Sequence, residues 1–194
     1  SFRKKIDPDT GQIIISGMGE LHLEIVLDRL SREFKVGCNA GKPRVSYRES
    51  AAAAAQLRQV FEGTLAGKEQ FAACTLQLER LPAGQGIEIL SRLPKSTPSG
   101  FAPAIEIGIR DAVQSGMLLG YPMVDLRFTI LEVEWREEGN SELAFQLAAR
   151  NGVRELVKEA GPTLLEPMMS VETILPEAFL GEVIADLNTR SGRI

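Results

Sequence analysis

An α+β fold is what this chain predicts, and three observations predict it. Short runs alternate apolar and polar residues, as Leu76 and Leu78 do among Thr75, Gln77 and Glu79, with the two-residue period of a strand. Longer stretches repeat apolar residues at helical spacing, as in Phe145, Ala149, Val153 and Leu156. The two patterns interleave as β-α-β, linker, β-β-α-β-α-β and α. A hairpin among the strands points to α+β units rather than a uniformly alternating parallel sheet.

Residues 12–16 predict a short buried strand, punctuated by Gly17 and Gly19. A helix follows from about Glu20, with Leu23, Val26, Leu27, Leu30 and Phe34 as its stripe. Glu20 complements the helix dipole and Gly37 is placed to close the helix. Residues 43–49 alternate as a strand. The alanines at 51–55 are too few to nucleate a helix alone and read as a linker or a helical turn. Strands at 74–80 and 86–91 flank a Pro- and Gly-containing stretch at 81–86 that predicts a hairpin turn. Pro103 suits a first helical position, and Ile105, Ile109, Ala112 and Val113 form the buried face of a helix to about Gln114.

The longest strand signal runs over 123–135 and would span about 40 Å if fully extended. Val124, Leu126, Phe128 and Ile130 share one face; the phase flips after Leu131, the mark of a bulge. Ser141 is an N-cap for a helix to about Lys158, which Gly161 and Pro162 stop. A strand is read over 163–174. The final helix starts at Pro176 with Phe179, Val183 and Leu187 on one face.

With 194 residues, 44% hydrophobic and 25% charged, the chain has the composition of an ordinary soluble protein of one large or two small domains. No apolar run reaches the roughly 18 residues of a membrane span, and no apolar segment follows the N-terminus as in a secretory signal. Cys38 and Cys74 read as buried free thiols in a reducing compartment. The net charge of −4 is uneven: the first 50 residues are slightly basic and the rest acidic. A nucleic acid would have to be met through local basic patches. The last helix has little chain after it to pack against and no Met opens the chain, so a part of a longer protein is expected.

The residues alone form no enzyme constellation. Residues 63–69 (GTLAGKE) fail as a phosphate loop, because the glycine spacing is one short and Glu69 stands where a Mg²⁺-binding Ser or Thr belongs. His22, the single histidine, has only Glu20 and Glu24 beside it, a weak metal set that reads more simply as a helix-surface group. Glu132, Glu134, Glu137, Glu138 and Glu142 gather around Arg136 and read as a solvated hairpin end rather than an acid–base pair. A binding module is what remains.

The segments 16–25 (SGMGELHLEI), 43–49 (PRVSYRE), 112–120 (AVQSGMLLG), 164–172 (LLEPMMSVE) and 181–194 (GEVIADLNTRSGRI) resemble the C-terminal half of bacterial elongation factor G, the ribosomal translocase. The likeness covers about 11–194 and is weakest at 51–75 and 131–140. It implies a second half of domain III at 1–50 (partial ferredoxin-like) and a domain IV core at 51–162 (ribosomal protein S5 domain 2-like). It also implies, at 163–194, the end of a domain IV strand and the start of domain V (partial ferredoxin-like). The resemblance places the GTPase domain, with its GTP and Mg²⁺, in the parent protein; no cofactor, metal or catalytic residue is expected here. It implies a cytoplasmic, monomeric, membrane-free arm that imitates a tRNA anticodon arm. The implied partners are the rRNA of both subunits and the tRNA and mRNA at the decoding site.

The departures lie in the two tip loops. In the first, 66–74 (AGKEQFAAC), Glu69 and Ala72 replace two family glycines and Ala73 the tip histidine. The second, 133–140 (VEWREEGN), lacks the family's glycine and histidine, with Arg136 in the histidine's place. Fewer glycines restrict the backbone, and the glutamates repel phosphate. A divergent paralog is therefore expected. Its arm acts in GTP-dependent translocation, or in ribosome recycling or protection, or it has become an interaction domain that no longer binds RNA. Lys68, Gln70 and Arg136 are the expected RNA contacts. Phe71 and Trp135 either stack on bases or pack in the core. Arg190 and Arg193 follow the last helix, a region the resemblance puts near large-subunit RNA.

Overall fold

Extended backbone begins within three residues of the N-terminus. The computed structural model describes residues 2–8 and 10–194. Strands β1 (Arg3–Ile6) and β2 (Ile13–Ser16) pair antiparallel, with Ile6 opposite Ile13. β1 is exposed throughout and carries no alternating pattern, so no strand signal marks it. β2, expected to be buried, is only half covered. Helix α1 (Glu20–Arg32) lays Leu23 and Leu27 beside Ile13–Ile15, yet none of its residues is buried. It ends before Gly37: Lys35 takes the left-handed backbone at φ 56, and the N–H of Val36 donates to the carbonyl of Leu30 at 3.0 Å.

The expected strand over 43–49 is reduced to β3 (Arg48–Ala51), which pairs antiparallel with β8 (Pro162–Leu165), Arg48 opposite Leu165. β8 stops where pairing stops; 166–174 have no strand partner among the described residues. The alanine run forms no helix. Ala51 ends β3 and Ala55 opens β4 (Ala55–Leu65), whose core-facing row of Ala55, Leu57, Phe61 and Leu65 is interrupted by Gln59 and Gly63.

β4, β5 (Lys68–Arg80), β6 (Ile87–Ser91) and β7 (Leu126–Glu134) form one four-stranded sheet in the order β4-β5-β7-β6. The expected hairpin between 74–80 and 86–91 does not form: β6 runs parallel to β7, while β5 pairs antiparallel with β4 and β7. Helix α2 (Phe101–Ser115) makes the crossover that a parallel pair requires. Pro103 sits two residues inside this helix, still in the first turn, where no N–H bond is lost. The real hairpin is β4–β5, turned by Ala66 and Gly67 at φ 51 and 79, the doubly left-handed geometry of a tight two-residue turn. Alanine holds that conformation at a cost of about 1 kcal/mol or more. Ala66→Asn should therefore raise stability by about 0.5–1 kcal/mol in chemical denaturation.

The bulge falls where the phase flip predicted it. Leu76 pairs with Ile130 and Thr75 with Glu132, leaving Leu131 without an opposite residue. β7 has nine residues rather than thirteen, and β5 is the longer strand, thirteen residues. Helix α3 (Glu142–Glu159) starts as expected, with the Ser141 hydroxyl accepting the N–H of Ala144 at 3.2 Å. It lies on β4 and β5 and packs against α2. Leu76, Leu78, Phe128, Ile105, Ile109 and Phe145, all fully buried, form the centre of the core. Beyond β8, a 3-10 turn (Glu177–Phe179) leads into helix α4 (Leu180–Thr189), which has no buried residue. No helix among the described residues is long and apolar enough to cross a membrane.

The cysteines differ. Cys74 is buried on β5, and burial pushes its thiol up to about 12, while Cys38 is exposed, against the expectation of two buried thiols. A thiol reagent at neutral pH should modify Cys38 in the folded chain and Cys74 only on unfolding; equal rates at both would contradict this burial.

Candidate nucleic-acid interface

The two tip loops meet at one end of the sheet. β5 is paired to β4 from Lys68 to Leu78 and to β7 from Ala73 to Arg80, so both of its sides are paired from Ala73 to Leu78. Past Ala73, where β7 has ended, the 135–140 loop takes over its place: the N–H of Phe71 donates to the carbonyl of Gly139 at 2.7 Å. Gly139 is required there. Its φ is 75, and a Cβ would stand 2.8 Å from the carbonyl oxygen of Glu69. The second loop thus keeps a working glycine, one position before Asn140.

Asn140 closes the loop on itself. Its side-chain oxygen accepts the N–H of Arg136 at 2.9 Å, and its Nδ2 donates to the carbonyl of Arg136. The Arg136 side chain is turned back over β5, its guanidinium carbon 4.2 Å from the centre of the Phe71 ring. Nη2 donates to Oε1 of Glu62 at 2.7 Å. Lys68, Gln70, Phe71 and Arg136, four of the expected contacts, therefore line one hollow of about 470 Å³. Lys68 is exposed, Gln70 and Phe71 are half-buried, and Oε1 of Gln70 is a buried acceptor without a hydrogen-bond partner.

Trp135 stands apart from this group. It is 43% exposed and packs edge-on against Phe101, 5.8 Å between centroids, which in turn packs on Phe145 at 4.2 Å. Arg190 and Arg193 lie at the exposed end of α4, and Arg190 is paired with Asp186 at 2.8 Å. Of the glutamates read as gathering around Arg136, Glu134 pairs instead with Arg58 through two bonds of 2.6 and 2.8 Å. The bond to Arg58 holds the Glu134 carboxyl below its ordinary value. Residues 63–69 form the hairpin turn and no helix N-terminus, so they do not fit a nucleotide phosphate. Nδ1 of His22 accepts the N–H of Met18 at 3.2 Å, and the described residues contain no cluster of three metal-ligating side chains.

Nothing in the sequence pattern pointed to Glu49, the most heavily bonded side chain at the root of the sheet. It is fully buried, and its carboxylate accepts backbone N–H groups from five successive residues. Oε2 takes those of Met117 and of Leu118, the latter at 2.8 Å; Oε1 takes Leu119, Gly120 and Tyr121 at 2.8, 3.0 and 3.1 Å. Burial raises the carboxyl pKa, but the bonds from Leu119, Met117, Leu118 and Tyr121 outweigh it and hold the group below its ordinary value. The main chain of Glu49 also bonds Pro122 and Val124 at 3.1 and 2.9 Å. β3 is thus clamped to the loop between α2 and β7.

The sequence pattern of the family described as Elongation factor G, domain IV matches residues 43–161, and that of Elongation Factor G, domain III matches residues 1–42. Among solved structures, a crystal structure of a protein from Thermus thermophilus is similar at a TM-score of 0.78 and 29% identity. The similarity covers 100% of this chain and 29% of that one, so the chain spans less than a third of the protein it matches.

Proposed function

This chain belongs to the elongation factor G family through its domain IV, and from that premise we propose that it is the ribosome-binding arm of an elongation-factor-G-like translation factor. The observation that carries the proposal is the meeting of the two tip loops on one strand end, where Lys68, Gln70, Phe71 and Arg136 line a single hollow. β5 extends about 40 Å, paired with β4 to its tip and with β7 as far as Ala73, where the bond from Phe71 to Gly139 continues the support, so it can carry that tip into a confined RNA site. The tip presents donors and π faces to RNA, in the manner of single-strand and loop recognition. Lys68 supplies a mobile charge for a phosphate. Arg190 and Arg193 are assigned a weaker role toward large-subunit RNA. In this proposal GTP and Mg²⁺ belong to a GTPase domain outside these residues, and the arm follows that domain's cycle in moving tRNA and mRNA through the decoding site.

Co-sedimentation of the full-length protein with 70S ribosomes and a GTP analogue tests this. Binding with chemical protection of rRNA near the decoding site is expected; absence of both sinks the proposal. A second reading, ribosome recycling or protection, is favoured by one observation: the tip arginines are partnered with carboxylates, Arg136 with Glu62 and Arg58 with Glu134. A tip so neutralised holds tRNA and mRNA backbones less firmly. A translocation assay separates the two, since a recycling or protection factor binds ribosomes and fails to translocate.

A further inference from the structure

We propose that Arg136, laid on Phe71 and pinned by Glu62, is a stacking platform for an unpaired nucleobase rather than a phosphate contact. The inference rests on the tip being an RNA-meeting surface and names which part of the RNA it takes. Three observations lead there. The guanidinium carbon stands over the Phe71 ring, 4.2 Å from its centre, and Nη2 bonds Glu62, yet the side chain remains 55% exposed. A planar group backed on one side and open on the other accepts a flat ring in a Phe–Arg–base sandwich. Its orientation is already set by the Glu62 bond and by the closed 136–140 loop, so little side-chain freedom is lost on binding.

The local charge disfavours the alternative. Glu62, Glu69, Glu134, Glu137 and Glu138 are all exposed on the two tip loops and the strand ends that carry them. A phosphate beside Arg136 would meet this acidic rim, whereas an uncharged base meets no such repulsion. Gln70 lines the same hollow with its Oε1 buried and without a hydrogen-bond partner; rotation of that amide into the hollow would give an amino group at the base edge its acceptor. Stacking energy, orientation and edge contact thus converge on a base.

The test uses the full-length protein and 70S ribosomes, with affinity measured across a range of KCl concentrations. A short single-stranded RNA carrying 2-aminopurine reports stacking by fluorescence quenching. Arg136→Lys keeps the charge and loses the plane; it is expected to weaken ribosome binding about tenfold and to abolish the quenching, with the salt slope unchanged. Glu62→Gln makes the tip more positive. Simple electrostatics predicts tighter RNA binding from it, and the pinned platform predicts weaker binding. Thermal melts of both variants should match the wild type, since both side chains are exposed. The proposal is overturned if Arg136→Lys binds and quenches as the wild type does, if Arg136→Ala lowers the salt slope by about one phosphate contact, or if Glu62→Gln tightens binding. A wild-type protein that binds no ribosomes overturns the reading of the tip and this inference together; wild-type binding with an unaffected Arg136→Lys overturns this inference alone.

Discussion

Replacing Glu49 with glutamine is expected to cost at least about 3 kcal/mol of folding stability. The carboxylate accepts five backbone N–H groups, two on one oxygen and three on the other. Glutamine keeps one oxygen and puts an NH₂ group where the other stood. Donors then face donors in a site closed to water, and each buried donor left unpaired costs about 1–3 kcal/mol. The pH dependence carries a second signature. The folded-state pKa of Glu49 is lowered, so its contribution is fully present above the ordinary carboxyl value of 4.5 and is lost as pH falls through the folded-state value. Wild-type stability should therefore drop more steeply below about pH 4.5 than that of Glu49→Gln, which carries no proton to take up there. Urea denaturation at a series of pH values measures both effects. Parallel pH profiles for the two proteins would mean that the carboxylate is not held by the 117–121 loop.

The reach of the sequence can be judged from this residue. Helices α2 and α3 were readable in position and in buried face, because a stripe at helical spacing and a Ser141 cap are local signals. The Leu131 bulge was readable for the same reason: one strand records in its own phase where its partner skips. Partner choice was not readable. A Pro-Gly turn between 80 and 87 implied a hairpin, but β6 reaches β7 by a parallel crossover, and nothing within either strand encodes that. β4 carries Ala55, Leu57, Phe61 and Leu65 on its core-facing side, but Gln59 and Gly63 interrupt that row and Val60 sits on the other face, so the alternation was broken. Glu49 was invisible because its five partners are backbone groups, which every sequence has; only glycines at 116 and 120, both at positive φ, mark the folded-back loop.

The tip shows the same division. Resemblance singled out Lys68, Gln70, Phe71 and Arg136 as separate members of two loops. The pairing of Arg136 with both Phe71 and Glu62 exists only because β5 continues past the end of β7 and the second loop folds over it. Gly139 permits that close approach, and its role depends on a carbonyl of the opposite loop. The chemistry of the tip is therefore a property of the register between β4 and β5, which sets Glu62 opposite Phe71. Glu62, on one strand, and Phe71, on the other, together decide where Arg136 can rest.

Gly108→Ala should destabilise the chain by about 2 kcal/mol, although alanine is the better helix former by about 1 kcal/mol. Gly108 lies in the middle of α2, fully inside a helix where propensity alone favours the change. The opposing effect comes from α3. A Cβ at 108 would overlap the backbone carbonyl of Gln146 and stand 3.0 Å from the Cβ of Ala149. A backbone oxygen cannot rotate away as a side chain can, so the helices must separate. Separation opens the layer where Ile105, Ile109 and Phe145 are fully buried. Gly152→Ala on α3 is the matched comparison. Its new Cβ would meet the Cβ of Gln59 at 3.1 Å and Cδ1 of Leu76 at 3.3 Å, contacts a few tenths of an ångström too close rather than an overlap with a backbone oxygen. Its loss should therefore be smaller, about 1 kcal/mol or less, since the helix-propensity gain offsets part of the strain. Equilibrium urea unfolding of the two variants reads the order directly. If Gly108→Ala proves the more stable of the pair, α2 and α3 do not touch at that point and the core between them is built differently.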